Sequence, residues 1–188
     1  MICAVDPDET KRRVFEKTYK CIAYKDFSEV ENPDKADFCI VSCPTEFHFT
    51  LLKQVIHSCQ PKVILCEKPF TSKEAEAEEI VALCKKENIE LFINYFRRFD
   101  SSTSSIKKII DDSGDESITI NIFYPKGFLH NGSHFFNLIE FWLGKCVIDS
   151  SLTEISKSEE IILTQFEKGV GIFHKLKNEN DPCSMDIN

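Results

Sequence analysis

The chain has 188 residues, 42% of them apolar with sixteen Phe, and a formal net charge of -8. That apolar content excludes a disordered polymer. Lys and Arg form no block, which argues against general binding to nucleic acid or an anionic membrane.

No apolar stretch approaches the roughly 18–20 residues that span a bilayer. The nine Cys form no repeating framework, and Cys3, Cys39, Cys66 and Cys146 lie in apolar runs where a thiol packs as a small hydrophobe. Met1 leads into Asp6-Pro7-Asp8-Glu9 without a basic start or an apolar leader. The expectation is a cytoplasmic protein in a reducing compartment.

In chain order, residues 2–5 form a short apolar run closed by Asp6-Pro7. A polar helix follows, with Asp8 as its cap and Val14, Phe15 and Thr18 turned inward. Residues 21–24 make a weak strand. Residues 37–42 make a stronger one, apolar enough to be buried on both faces of a parallel sheet. Phe47, Leu51, Leu52, Val55, Ile56 and Cys59 recur at helical spacing. Residues 63–66 read as another buried strand. Thr71 and Glu74 have the spacing of a capping box for a helix to about Lys86, and residues 91–94 are a further strand. Strands alternating with helices imply right-handed crossovers and a parallel sheet.

Near residue 95 the character changes. Tyr95-Phe96-Arg97-Arg98-Phe99-Asp100 leads through a Ser-rich link to a helix around residues 106–111. Residues 117–124 alternate as a strand, and residues 132–143 form a helix closed by Gly144 as a left-handed cap. Three strand-like runs follow, 147–153, 159–166 and 170–176, separated by turns, so the sheet is expected to be mainly antiparallel. Residues 178–188 are polar and expected to fray. The fold class is therefore α/β: a parallel sheet over residues 1–95, then a small α+β domain with a mainly antiparallel sheet over 96–188.

Ligands of open α/β sheets bind at the carboxyl ends of strands. Three segments lie there: Asp6-Pro7, Ser42-Cys43-Pro44-Thr45 and Glu67-Lys68-Pro69. A charged Glu-Lys pair directly after a buried strand has little packing rationale. It is either an ion-paired surface turn or part of a site. His130 and His134 stand i, i+4 apart, but no third metal ligand accompanies them.

Residues 61–70, Pro-Lys-Val-Ile-Leu-Cys-Glu-Lys-Pro-Phe, resemble the signature of the glucose–fructose oxidoreductase / inositol dehydrogenase / rhizopine catabolism (Gfo/Idh/MocA) family. Ala4-Val5-Asp6-Pro7-Asp8, the segment from Ser42 through Pro44 to His48, Tyr95 to Asp100, and Gly132-Ser133-His134 resemble further family segments in the same order. The resemblance implies hydride transfer between NAD or NADP and a carbinol carbon of a sugar, nucleotide-sugar or polyol. It implies Lys68 and His134 as acid/base groups. Asp6, Ser42, Pro44, His48, Glu67, Lys68 and Pro69 would lie at the cofactor, and Lys68, Arg97, Asn131 and His134 at the substrate. Asp6 leans toward NAD, because a carboxylate repels a 2′-phosphate.

Two departures qualify the resemblance. The family's Gly-rich phosphate turn is missing, since all six Gly lie at or after Gly114, and the chain enters at what would be the family's second strand. The resemblance thus implies an incomplete Rossmann-like sheet over residues 1–95, and loss of that first strand is expected to expose sheet edges and helix faces. Second, His130 stands where family members often carry Asp. The alternatives are a non-catalytic remnant acting as a binding or oligomerising protein, or a fragment completed by a separate chain that supplies the Gly-rich limb. A homo-oligomer is expected by resemblance.

Overall fold

The computed structural model describes residues 3–33, 36–114, 117–147, 155–156 and 161–188. The chain divides into two compact units, Met1–Ile93 and Asn94–Asn188. Among the described residues no helix is long and apolar enough to cross a membrane.

The first unit runs β1 (Cys3–Val5), α1 (Glu9–Tyr19), β2 (Ile22–Tyr24), β3 (Phe38–Val41), α2 (His48–Cys59), β4 (Val63–Cys66), α3 (Glu74–Lys86) and β5 (Glu90–Ile93). All its strand pairs are parallel, but they make two sheets: β1 with β2, and β3-β4-β5. Rossmann sheets follow the order 3-2-1-4-5-6. Removing strand 1 from that order leaves a pair and a triplet, which is the observed split.

The core of this unit lies on one face of the triplet. Register aligns Cys39, Ile64 and Leu91, then Val41, Cys66 and Ile93, and these pack with Leu52, Val55 and Ile56 of α2 and Ile80 and Cys84 of α3. The opposite face aligns Phe38 with Val63, then Ile40 with Leu65 and Phe92. There Phe38, Ile40 and Phe92 are 53%, 60% and 54% exposed. The expectation that β3 is buried on both faces is thus corrected: an apolar run alone does not say how many layers cover it.

Asp8 caps α1 as expected, accepting from Thr10 N and Lys11 N. The inward face expected from Val14, Phe15 and Thr18 is absent, however. No residue of α1 is buried and Val14 is 61% exposed. The capping box also fails: α3 begins after Lys73, and the Thr71 hydroxyl donates to Lys73 O at 2.8 Å instead.

The second unit runs α4 (Ser101–Asp112), β6 (Ile118–Tyr124), α5 (Ser133–Leu143), β7 (Ile155–Ser156), β8 (Ile161–Phe166), β9 (Gly169–Lys175) and β10 (Ser184–Ile187). Among the described residues its strands lie in the order β10-β6-β9-β8-β7. Three pairings are antiparallel, but the central one, β6 with β9, is parallel. Alternate residues Ile118, Ile120, Ile122 and Tyr124 of β6 enter a core with Phe135, Ile139, Trp142 and Leu143 of α5. Trp142 Nε1 donates to Thr103 O at 3.0 Å, joining α5 to α4.

The Ser-rich link expected before α4 is the first turn of the helix itself, because Asp100 accepts from Ser102 N and caps it. The expected fraying of 178–188 is also corrected, since β10 pairs with β6 from Ser184↔Phe123 to Ile187↔Ile120. Gly144 ends α5 with φ 86 and ψ -170, a positive-φ stop outside the left-handed helical well. Within the strand expected at 147–153, residues 148–153 lie outside the described residues.

Candidate functional site

In the first unit, Asp6 stands one residue beyond β1, where its N–H donates to Tyr24 O at 3.1 Å and extends the strand pair. Its Oδ1 accepts from Asp8 N at 2.8 Å, and its Oδ2 lies 3.9 Å from Lys11 Nζ. The carboxylate is therefore held in a tight turn with one oxygen toward a cation.

The ends of β3 and β4 are adjacent because the strands are paired in register. Glu67 N donates to Val41 O at 2.8 Å, carrying the pairing one residue past β4. Glu67, Lys68 and Pro69 are half-buried, with a cis bond between Lys68 and Pro69. Across from them, Ser42 and Pro44 are exposed, and Phe47 N donates to Pro44 O at 2.9 Å to start α2.

His48, the first residue of α2, is 0% exposed. Its Nε2 lies 2.8 Å from Cys43 O and its Nδ1 3.1 Å from Phe70 O. The ring is sealed from solvent and both nitrogens face main-chain carbonyls. Beneath the turn, Cys66 Sγ lies 3.5 Å from His48 Nδ1. Burial above all, with Cys43 and then Glu67 nearby adding to it, pushes the Cys66 thiol up to about 12, so it stays protonated.

In the second unit, His134 is the second residue of α5 and is 6% exposed. The Tyr95 and Phe96 rings stand roughly perpendicular to it, with centroids at 5.8 and 6.0 Å. Burial pushes the Tyr95 phenol up, opposed by its hydrogen bond to Ser133 and by Arg98. Gly132 is required at the entry to α5: a Cβ there would lie 2.7 Å from Phe128 Cδ2 and 3.2 Å from Tyr124 Cε2. Asn131 is half-buried, in the single π-turn Phe128–Gly132. His130 is exposed in that turn whereas His134 is buried, so the two members of the i, i+4 pair stand in different surroundings.

Arg97 is exposed, with its guanidinium carbon 5.4 Å from the Phe135 ring centroid. Its neighbour Arg98 is the anchored one. Arg98 Nε donates to Asn137 Oδ1 at 2.5 Å and its terminal nitrogen donates to Asn137 O at 3.0 Å. Sequence reasoning marked the Tyr95–Asp100 segment but assigned no role to Tyr95, Phe96 or Arg98. Their contacts with α5 lie about forty residues away in sequence and leave no local pattern.

The expected residues thus form three groups: Asp6 on the two-stranded sheet, Ser42, Pro44, His48, Glu67, Lys68 and Pro69 on the ends of β3 and β4, and Arg97, Asn131 and His134 in the second unit.

The Gfo/Idh/MocA model, an oxidoreductase family with an NAD-binding Rossmann fold, matches residues 1–95. An uncharacterized oxidoreductase of Schizosaccharomyces pombe is 30% identical over 89 residues, 47% of this chain and 24% of that protein. Myo-inositol 2-dehydrogenase of Thermotoga maritima is 28% identical over 90 residues, 48% of this chain and 26% of that enzyme. The aligned region thus spans about a quarter of the length of these curated relatives. Among solved structures, the WlbA (WbpB) dehydrogenase from Thermus thermophilus, in complex with NAD and alpha-ketoglutarate, superposes with a TM-score of 0.79 at 13% identity. That likeness covers 100% of this chain and 72% of the dehydrogenase and concerns the fold. With a family model matching half its length over the sheet that bears Glu67-Lys68-Pro69, the chain belongs to the Gfo/Idh/MocA oxidoreductase family.

Proposed function

We propose that the chain serves an NAD-dependent oxidoreductase acting on a carbinol carbon of a sugar, nucleotide-sugar or polyol. The observation that carries this reading is the half-buried Glu67-Lys68-Pro69 turn, held at the end of β4 within the family-matched region. The nicotinamide, when bound, supplies or accepts the hydride. The chain's own task is to move the hydroxyl proton, and Lys68 and His134 are the groups proposed for it. An ammonium has a proton to give, and an imidazole exchanges one near neutral pH. Glu67 would orient Lys68, and Arg97 and Asn131 would meet the substrate's hydroxyls.

The described residues fit this cofactor only in part. Asp6 is an acceptor suited to ribose hydroxyls, and its charge favours NAD over NADP. The N-terminus of α1 does not suit a pyrophosphate: the Asp8 carboxylate already accepts from its free N–H groups, and Glu9 adds a second negative charge.

The split sheet favours a second reading, in which another polypeptide segment completes the fold. Among the described residues, β1 and β3 each pair on one side only, and the apolar face carrying Phe38, Ile40 and Phe92 is bare. A strand between the two sheets, followed by a Gly-rich turn and a helix over that face, would meet both needs and add phosphate donors. A homo-oligomer through the outer face of the five-stranded sheet, where Phe123, Leu163 and Ile172 are half-buried, is a further proposal. Light scattering reads it directly.

Calorimetric titration of the purified chain with NADH and NADPH at millimolar concentration tests the first reading. Absence of binding by either removes it for this chain alone. Binding that appears only with a co-purifying Gly-rich segment supports the second reading, and turnover of a sugar alcohol by the chain alone overturns it.

A further inference from the structure

We propose that His48 is a positioning residue, whose buried ring cross-links the turns after β3 and β4 and so sets where Lys68 stands. The segment carrying Lys68 is tethered at both ends. At its start, Glu67 N donates to Val41 O at 2.8 Å. At its far end, Phe70 O lies 3.1 Å from His48 Nδ1. Lys68 and Pro69 are the two residues between these tethers.

The same ring reaches the other turn, because Nε2 lies 2.8 Å from Cys43 O. One rigid five-membered ring thus stands between two main-chain carbonyls of neighbouring strand ends. Carbonyls only accept, so the ring holds both at once as the imidazolium, donating one N–H to each, whereas a neutral ring donates to one of them. An imidazole at 0% exposure is costly unless its nitrogens are used. Away from water, the bonds it makes are stronger than on a surface. Packing alone would have been met by an apolar residue here, since Leu52, Val55, Ile56 and Cys59 of the same helix are all apolar and buried.

The inference rests on the proposed role of Lys68 for its functional meaning. The cross-link itself stands on geometry. His48 would not contact substrate or cofactor. It would act by fixing the backbone on which Lys68 and Glu67 are mounted.

Hydrogen–deuterium exchange on the full chain tests this with three variants. His48→Asn places an amide donor near the Nδ1 position, His48→Gln places one near Nε2, and His48→Phe keeps a ring without either. In the Phe variant, peptides covering residues 42–47 and 67–71 are expected to exchange roughly tenfold faster than in the parent. Peptides from α3 and from the second unit are expected to be unchanged. The Asn variant should restore protection to 67–71, and the Gln variant to 42–47. If His48→Phe does not fold, the contrast between Asn and Gln carries the test alone. Unchanged exchange at 67–71 in the Phe variant, or Asn and Gln variants that protect the same segment, overturns the proposal. A parent protein that binds no NADH removes the proposed activity but leaves this crossover readable.

Discussion

Gly169 opens β9 and pairs with Ile118 of β6 in the parallel ladder at the centre of the second unit. A Cβ at Gly169 would lie 2.1 Å from Ile118 O, 2.9 Å from Ile118 C and 3.1 Å from Ile118 N. The obstacle is backbone, so no rotamer change relieves it, and the two strands must separate at that point. Overpacking costs about 1–3 kcal/mol, and an immovable neighbour puts Gly169→Ala at the top of that range, about 3 kcal/mol. For a unit of this size, each kcal/mol shifts the melting temperature by roughly 4–8 °C, so a fall of roughly 12–24 °C is expected. Gly171→Ala is the control. Its Cβ would meet ring carbons of Phe166 and Phe173 at 3.1 Å, and rings can tilt away. That variant should lose about 1 kcal/mol. Circular dichroism melts of both variants beside the parent provide the measurement. If Gly169→Ala melts within about 2 °C of the parent, or no lower than Gly171→Ala, the reasoning is refuted.

Two further predictions concern the first unit. Gln60 ends α2 in the left-handed region at φ 43 and ψ 51, and it is exposed. Left-handed backbone costs a non-Gly residue about 1–2 kcal/mol, partly offset by the entropy that Gly loses on folding. Gln60→Gly should therefore raise stability by about 0.5–1 kcal/mol, read as a higher urea midpoint, and an unchanged midpoint contradicts this. Burial pushes the Cys39 and Cys66 thiols up to about 12 from an ordinary value of 9.0. Between these values the unfolded chain has released protons that the folded chain retains, so stability is full below pH 9.0 and falls as pH rises toward about 12. Urea midpoints measured across that window should decline in the parent and decline less in Cys66→Val. Equal slopes would mean that the buried thiol plays no part.

Most of the element order was legible because it follows from local periodicity. The strand at Val63–Cys66 and the buried stripe of α2 are written in consecutive residues. What stayed hidden depends on residues far apart in the chain. Phe38 and Ile40 are as apolar as Cys39 and Val41, and among the described residues no layer covers the first pair. Val14 belongs to a sound helical pattern, yet it stays 61% exposed. The tail defeated composition for the opposite reason: Ser184–Ile187 is polar enough for a loop, yet the free edge of β6 gives its backbone a partner. The candidate site divides the same way. Glu67 and Lys68 stood out because charge follows a buried strand. His48 was noticed as a residue, but its part could be read only from carbonyls 5 and 22 positions away.

The parallel pairing of β6 with β9 carries a consequence for how quickly the protein forms. Ile118 meets Gly169, roughly fifty residues onward, whereas Phe38 meets Val63 after roughly twenty-five. Doubling a loop adds only about 0.6 kcal/mol of closure entropy. The central ladder of the second unit nevertheless gains nothing until that longer loop has closed, and non-local pairing of this kind slows folding. In a refolding experiment the first unit should therefore gain its protection early. The last amides to be protected should be those along Ile118–Tyr124 and Gly169–Lys175, the two strands on which every other strand of that sheet depends.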